Sequence, residues 1–271
     1  MRWLSPLHFN IKHEESVERI QHGSGLWLFD KGIYQRWEGS SPSSLWIHGI
    51  PGCGKTILAF ANYSLSIYIP RLKSSRSIII QRLEKKFPAG SSCGLAYFYC
   101  QYNREDTQRP PNIARCILAQ LLQNLDYRSI ENTMGEMIHK ISSGQGPPQN
   151  LATIEDCIVN VSKLYSRAVI VIDGVDECPR PQRRQLLDFI VKLSSSGAIS
   201  ITALSRKEVD IEDELRRFAT ISLLDEGINF KEDMRKLIED EFKDTRKWDC
   251  RFQDMKQEIT EELILGSGIN M

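Results

Sequence analysis

Runs of consecutive apolar residues mark the segments of this chain that we expect to form strands. Residues 168–172 form an unbroken and mostly β-branched run, other apolar runs lie at residues 45–47 and 94–100, and a strand-like run that includes Ser200 and Thr202 lies at residues 200–204. An unbroken apolar run is typical of a parallel strand that is buried on both faces. The pattern therefore predicts an α/β domain around a parallel sheet, with a last strand at residues 221–224.

Between these runs, apolar residues recur at helical spacing. Residues 112–125 are predicted to form one helix, and residues 25–37 another whose aromatic side chains pack against the core. A further helix runs through Leu186 and Ile190, and we expect Arg183 near its start to be solvated. This layout places helices on both sides of the strands.

A glycine-rich segment directly follows the first apolar run. Residues 49–56 are G-I-P-G-C-G-K-T, a full match to the phosphate-binding pattern G-x-x-x-x-G-K-[ST]. Glycines let the backbone turn tightly and direct its NH groups at phosphate oxygens, while the lysine offsets phosphate charge and the threonine hydroxyl is a ligand for Mg²⁺. The predicted cofactor-binding residues are Gly49, Ile50, Pro51, Gly52, Cys53, Gly54, Lys55 and Thr56.

Acidic residues follow the apolar run at residues 168–172. Asp173 comes directly after it, where the carboxyl end of a parallel strand meets the ligand-binding edge of the sheet, so we predict that it shares Mg²⁺ with Thr56. Asp176 and Glu177 come shortly afterwards. Either can reach a water aligned on the γ-phosphate and act as general base, and we favour Asp176.

A basic residue follows the run at residues 200–204. Arg206 should reach the same edge, where a guanidinium can bind γ-phosphate oxygens that a diphosphate lacks. We therefore include Arg206 among the catalytic candidates. The alternative is a surface ion pair of Arg206 with Glu208 or Asp210.

Together these motifs resemble the NACHT NTPases of the STAND class of P-loop proteins. Segments such as Trp3-Leu4-Ser5-Pro6, residues 23–28, residues 95–100 and Gln120-Leu121-Leu122 are similar to the NLR-like, nephrocystin-3-like branch found in fungi. The resemblance implies a P-loop NTPase three-layer sandwich, with a parallel sheet of order 5-1-4-3-2 between helices. It also implies a switch that rests with ADP, is active with ATP or GTP and Mg²⁺, and often forms homo-oligomers.

The resemblance divides the chain into three parts. Residues 1–43 are expected to form an N-terminal helical extension, residues 44–225 the NACHT core, and residues 226–271 the start of a truncated helical region. Residues 61–76 depart from the family pattern because Pro70 interrupts the helix that follows Thr56. We hypothesise that this segment is an insertion, such as a translated unspliced intron.

Composition narrows the choice of partners and location. Lys plus Arg and Asp plus Glu each total 35, so no overall field attracts nucleic acid or an anionic membrane. Seven cysteines without a C-x-x-C pair indicate neither a zinc site nor a disulfide framework. No apolar run approaches the ~20 residues of a membrane span. We expect a cytoplasmic protein that binds neither nucleic acid nor membrane.

Three functions remain open from sequence. The leading one is a signalling or oligomerisation switch in which hydrolysis is slow and the bound nucleotide is the output. The second is an efficient P-loop ATPase or kinase, although no acceptor pocket or basic lid is identifiable. The third is a truncated NACHT fragment that acts as a passive interaction module.

Overall fold

The computed structural model describes residues 25–49, 78–140, 143 and 146–223. Five strands in this part of the chain form a single sheet in which every pairing is parallel. They are β1 (Ser44–His48), β2 (Cys93–Tyr99), β3 (Arg167–Asp173), β4 (Ile199–Ser205) and β5 (Ala219–Ser222). Their order is β2-β3-β4-β1-β5, which is the predicted order 5-1-4-3-2 counted from the other edge. The predicted fold class is confirmed.

In the described part of the chain, two helices precede β1 and the others lie between successive strands. They are α1 (Trp27–Asp30), α2 (Gly32–Gly39), α3 (Ile78–Lys86), α4 (Pro110–Gln123), α5 (Tyr127–Lys140), α6 (Leu151–Ser162), α7 (Arg180–Ser194) and α8 (Val209–Leu215). Short 3-10 turns at Glu105–Thr107 and Val175–Glu177 follow β2 and β3. No helix among the described residues is long and apolar enough to cross a membrane.

Alternate residues of β3 face two separate apolar cores. Ile170 and Ile172 belong to the core formed with α4, α6 and α7, whereas Val169 and Val171 belong to the core formed with α1, α2 and α3. All four side chains are fully buried. The unbroken apolar run is therefore explained by helices that cover both faces of the sheet, which gives three layers.

One edge of the sheet is protected by a side chain. β2 forms this edge and β5 the other, and the amide and carbonyl of Tyr97 on β2 both bond to Gln120 of α4, at 3.1 and 2.8 Å. The Gln120 side chain thus satisfies a peptide unit that has no neighbouring strand on that side.

The predicted helix at residues 25–37 is two helices. Lys31 has an extended conformation, with φ −68° and ψ 125°, and it separates α1 from α2. Leu28, Tyr34 and Trp37 are buried against the sheet. In one straight helix these side chains would spread over roughly 180° of the surface at about 100° per residue, so the break lets all of them reach one core.

Other boundaries differ by a few residues. The helix predicted at residues 112–125 begins instead at Pro110, because two prolines occupy its first turn, where no NH bond is lost. The last strand lies at Ala219–Ser222 rather than residues 221–224. Helices α5 and α8 were not predicted, since both are polar on much of their surface.

Several expectations fall outside the described residues. Most of the glycine-rich loop, residues 50–56, is among these, as are the hypothesised insertion and residues 226–271. The division of the chain into three parts stays a prediction.

Candidate nucleotide-binding site

The carboxyl edge of the sheet brings together the ends of β1, β3 and β4. Asp173 is the last residue of β3 and is buried, with 7% of its surface exposed. It lies opposite Leu204 of β4, which in turn lies opposite Ile47 of β1. Gly49, the first residue of the glycine-rich loop, donates its NH to the Ser205 carbonyl at 3.4 Å. The start of that loop and the first predicted acidic residue therefore lie at one edge.

A tight turn follows Asp173 and depends on a glycine. Gly174 has φ +76°, and a Cβ placed on it would lie 2.9 Å from the carbonyl oxygen of Cys100. Its NH bonds to the Leu204 carbonyl at 3.1 Å, and its carbonyl accepts from the Glu177 NH at 2.9 Å. Only glycine combines this conformation with this close approach. The turn, residues 174–178, presents both Asp176 and Glu177 beyond the end of β3, and we call it the acidic turn.

Asp176 is bound at two points by Arg206. Its Oδ1 accepts the Arg206 NH at 2.9 Å, and its Oδ2 lies 3.0 Å from Arg206 Nε. The Asp176 side chain is 7% exposed and the Arg206 side chain 50% exposed. The expected alternative, in which Arg206 pairs with Glu208 or Asp210, is wrong, because those carboxylates face a different arginine.

Glu177 is held by the segment that follows β2. Its Oε2 accepts the NH of Tyr102 at 2.8 Å. Burial raises the pKa of Glu177 above its ordinary value, and the Asp176 charge adds to this rise, whereas the bond from Tyr102 and the Arg206 charge oppose it. The two acidic side chains of the turn therefore point to different neighbours, Asp176 to the β4 end and Glu177 to the β2 end.

Arg183, in the first turns of α7, is buried rather than solvated. Its surface is 6% exposed, and its Nη1 contacts both Glu208, in a short ion pair, and Asp210 at 3.2 Å. Burial alone would lower the pKa of Arg183, but bonds and charges from these two carboxylates outweigh burial and raise it. The prediction of a solvated Arg183 failed because those carboxylates, about 25 residues further on, are brought back over the start of α7 by the strand order.

The ends of β1 and β4 are joined by side chains beneath the edge. Trp46 Nε1 donates to Ser205 Oγ at 2.8 Å, and Ser205 Oγ bonds in turn to the Arg206 carbonyl at 2.9 Å. The ring centroids of Trp46 and His48 lie 4.4 Å apart. These contacts fix the backbone from which Arg206 and the glycine-rich loop depart.

The described residues fit a magnesium nucleotide at this edge. Asp173 lies two strands from Ile47, which is roughly 10 Å at a strand spacing of about 4.8 Å. A carboxylate two strands away from the strand that leads into the glycine-rich loop leaves room for a phosphate chain, and carboxylate oxygen is a normal ligand of Mg²⁺. Arg206 is half exposed at the same edge, so its guanidinium is accessible from solvent there.

The fold and the edge define the class of this protein. A parallel sheet of order 5-1-4-3-2, a G-x-x-x-x-G-K-T segment after the first strand and an acidic residue at the end of β3 are together the features of a nucleotide-binding P-loop NTPase module. Residues 23–206, more than half of the chain, match the family described as Nephrocystin 3, N-terminal. The chain belongs to this family, and the nephrocystin-3-like resemblance is confirmed.

Known proteins extend the comparison. The chain is 26% identical over 220 residues to the vegetative incompatibility protein HET-E-1 of Podospora anserina. That alignment covers 79% of this chain and 14% of the relative, so the chain spans only a small part of its length. A solved structure of a DNA replication initiation factor aligns at a TM-score of 0.42 and 10% identity, over 92% of this chain and 61% of that chain.

Sequence reasoning missed two contributors to the site. Tyr102 contributes only its main-chain NH, for which no sequence signal exists. Arg183 was noticed but placed on the surface, although its position three residues before the buried Leu186 puts both on one side of α7 and could have indicated burial.

Proposed function

We propose that this chain is the nucleotide-binding part of a STAND-type switch, in which ATP or GTP with Mg²⁺ controls signalling or homo-oligomerisation in the cytoplasm. Hydrolysis is slow, with Asp176 as the favoured general base, Glu177 as the second candidate and Arg206 as the γ-phosphate contact. Thr56 and Asp173 hold the metal ion. Residues 49–56 hold the phosphates.

One observation carries the proposal: the ion pair between Arg206 and Asp176 at the carboxyl edge of the sheet. Arg206 lies just after the end of β4 and Asp176 lies just after the end of β3, so their ion pair connects the loops that follow two neighbouring strands. A γ-phosphate competes with Asp176 for the guanidinium, because both are anions and the guanidinium is half exposed. A triphosphate and a diphosphate therefore favour different partners for the Arg206 guanidinium, which gives the site two states, as a switch requires.

The same ion pair explains why hydrolysis should be slow. A general base must accept a proton from water, and both carboxylate oxygens of Asp176 already contact Arg206. Asp176 becomes available to water only when Arg206 Nε moves to the nucleotide. Hydrolysis then depends on the movement of the Arg206 side chain, and such conformational steps limit turnover in many enzymes.

The first experiment is to purify the chain, extract the copurifying nucleotide and identify it. The second compares Lys55→Ala with Asp176→Asn by binding of a fluorescent ATP analogue and by single-turnover hydrolysis. Lys55→Ala should abolish triphosphate binding, since it removes the charge that offsets the phosphates. Asp176→Asn should leave triphosphate binding intact and slow hydrolysis, since it removes the favoured general base.

A matched control is Lys163→Ala, because Lys163 is exposed just before β3, at the opposite end of the sheet. It should bind nucleotide as the parent does. Equal binding by Lys55→Ala and the parent would contradict the phosphate assignment. Turnover well above ~1 per second would favour an efficient kinase or ATPase, since active kinases run at about 1 to 100 per second. Absence of any nucleotide binding would favour the passive fragment.

A further inference from the structure

Arg183 connects the two loops that carry the candidate catalytic residues. On one side, its Nη2 donates to the Asp176 carbonyl at 2.7 Å and its Nε to the Cys178 carbonyl at 3.1 Å. On the other side, its Nη1 bonds to the carboxylates of Glu208 and Asp210. Asp176 and Cys178 belong to the acidic turn, and Glu208 and Asp210 follow Arg206. A single side chain thus joins both loops.

The shape of the guanidinium suits this task. Its three nitrogens donate in fixed and different directions, so one arginine can reach main-chain carbonyls of one loop and carboxylates of another at the same time. A lysine ammonium keeps the charge but cannot reproduce that planar arrangement. Because Arg183 is 6% exposed, its bonds are shielded from water and are correspondingly strong.

The carbonyls that Arg183 holds flank Glu177 in the chain. Asp176 and Cys178 are the immediate neighbours of Glu177, so fixing their carbonyls sets the orientation of the backbone around Glu177. Holding the following loop through Glu208 and Asp210 sets the approach of Arg206 to Asp176. The position of each acidic side chain therefore depends on α7, which carries no residue predicted to touch the nucleotide.

We propose that Arg183 is a positioning residue of the nucleotide site, which holds the acidic turn and the β4–α8 loop so that Asp176 meets Arg206 and Glu177 meets Tyr102. Its importance for hydrolysis rests on the function proposed above. The arrangement itself can be tested without nucleotide.

Two backbone amides report on the acidic side chains. The Arg206 NH bonds to Asp176 Oδ1, and the Tyr102 NH bonds to Glu177 Oε2. Hydrogen exchange at each amide, resolved by NMR or by fragmentation mass spectrometry, therefore measures whether each carboxylate is in place. Asp176→Ala, which removes the acceptor, gives the exchange rate of a fully released Arg206 amide.

Arg183→Lys should accelerate exchange at both amides by about tenfold or more, because the acidic turn loses two bonds to main-chain carbonyls. The matched control is Arg184→Lys, which changes the same residue type at the next, exposed position of α7. It should leave both amides at the parent rate. Unchanged exchange at either amide in a folded Arg183→Lys protein would overturn the proposal.

A second variant tests the bonds of Arg183 to Glu208 and Asp210 and leaves the arginine and its bonds to the acidic turn unsubstituted. Glu208 and Asp210 are 36% and 43% exposed, so Glu208→Gln combined with Asp210→Asn should fold even where Arg183→Lys does not. This double variant should accelerate exchange at the Arg206 amide and leave the Tyr102 amide unchanged. Equal rates at Arg206 in the double variant and the parent would also overturn the proposal.

Single-turnover hydrolysis separates this inference from the proposed function. Arg183→Lys should slow hydrolysis by about tenfold with unchanged ATP affinity, because the acidic turn that carries the general base is then no longer held in place, even after Arg206 moves to the nucleotide. It should add no further loss in the Asp176→Asn background, since it acts through Asp176. Additive losses would contradict positioning. If the parent protein hydrolyses no nucleotide, the proposed chemistry fails, while the exchange rates still decide the role of Arg183.

Discussion

Asp176 and Arg206 meet through two separate contacts, one with the main chain and one with the side chain. The Arg206 NH lies 2.9 Å from Oδ1 and Arg206 Nε lies 3.0 Å from Oδ2. Only the side-chain contact can be exchanged for a contact with a phosphate. The main-chain bond persists wherever Arg206 Nε turns, whereas the guanidinium can leave for a phosphate. Asp176 can therefore stay in place while its partner changes.

This arrangement predicts that Arg206→Ala reduces discrimination between ATP and ADP. Arg206 is the cation that we propose binds the terminal phosphate, so its loss should weaken ATP binding by about tenfold, roughly 1.4 kcal/mol, and change ADP binding little. Titration with fluorescent analogues of both nucleotides measures the ratio. Lys207→Ala is the control, because Lys207 is the adjacent cation and pairs instead with Glu212 at 2.9 Å. An unchanged ratio in Arg206→Ala would remove Arg206 from the site.

Replacement of Gly174 tests the conformation of the acidic turn. Gly174→Ala should lower the free energy of unfolding by about 2–4 kcal/mol, because Ala disfavours φ +76° and its Cβ would approach the Cys100 carbonyl to 2.9 Å. Gly197→Ala is the control. Gly197 has φ +70° and no atom within 4 Å of the added Cβ, so only the backbone cost of about 1 kcal/mol applies. Urea unfolding measures both, and equal losses would refute a close approach at Gly174.

Two tryptophans separate hydrogen bonding from ring burial. Trp46 and Trp37 are both 2% exposed, but within the described residues only Trp46 Nε1 has an acceptor, Ser205 Oγ at 2.8 Å. Trp46→Phe should therefore lower the free energy of unfolding by about 1–2 kcal/mol more than Trp37→Phe. The comparison is made by urea unfolding at equal m-values. A larger loss from Trp37→Phe would contradict this assignment.

The raised pKa of Glu177 predicts how the free energy of unfolding depends on pH. Its pKa is raised by burial, so the folded protein binds this proton more tightly than the unfolded chain does. The resulting stabilisation is fully present below the ordinary glutamate pKa of about 4.3 and is lost as pH rises through the raised value. Glu177→Gln stays uncharged and should be more stable than the parent above that window and equal to it below.

Urea unfolding from about pH 4 to about pH 8 tests this dependence. Glu214→Gln is the control, because Glu214 is exposed on α8 and its substitution also removes one negative charge. The difference between Glu177→Gln and the parent should grow with pH, whereas Glu214→Gln should not reproduce it. A Glu177→Gln protein that becomes less stable than the parent as pH rises would contradict the prediction, because the charged carboxylate would then be stabilising.

Much of the sheet was predictable because its signals are local. The run at residues 168–172 predicted a strand buried on both faces, and β3 is that strand with one residue added at each end. The break at Lys31 was not predictable in the same way. Residues 25–37 have helical spacing throughout, and the interruption depends on where the sheet requires Leu28 and Trp37 to lie.

By itself the sequence determined the class of protein, since glycines, a lysine and an acidic strand end have phosphate and metal chemistry wherever a parallel sheet places them. Only the tertiary structure decided which charges meet. Arg206 stands near Glu208 in the chain yet pairs with Asp176, and Arg183 takes the carboxylates that Arg206 leaves. The reason is physical: the sheet places β4 beside β3, which joins loops that are distant in sequence, and charge pairing follows distance in space.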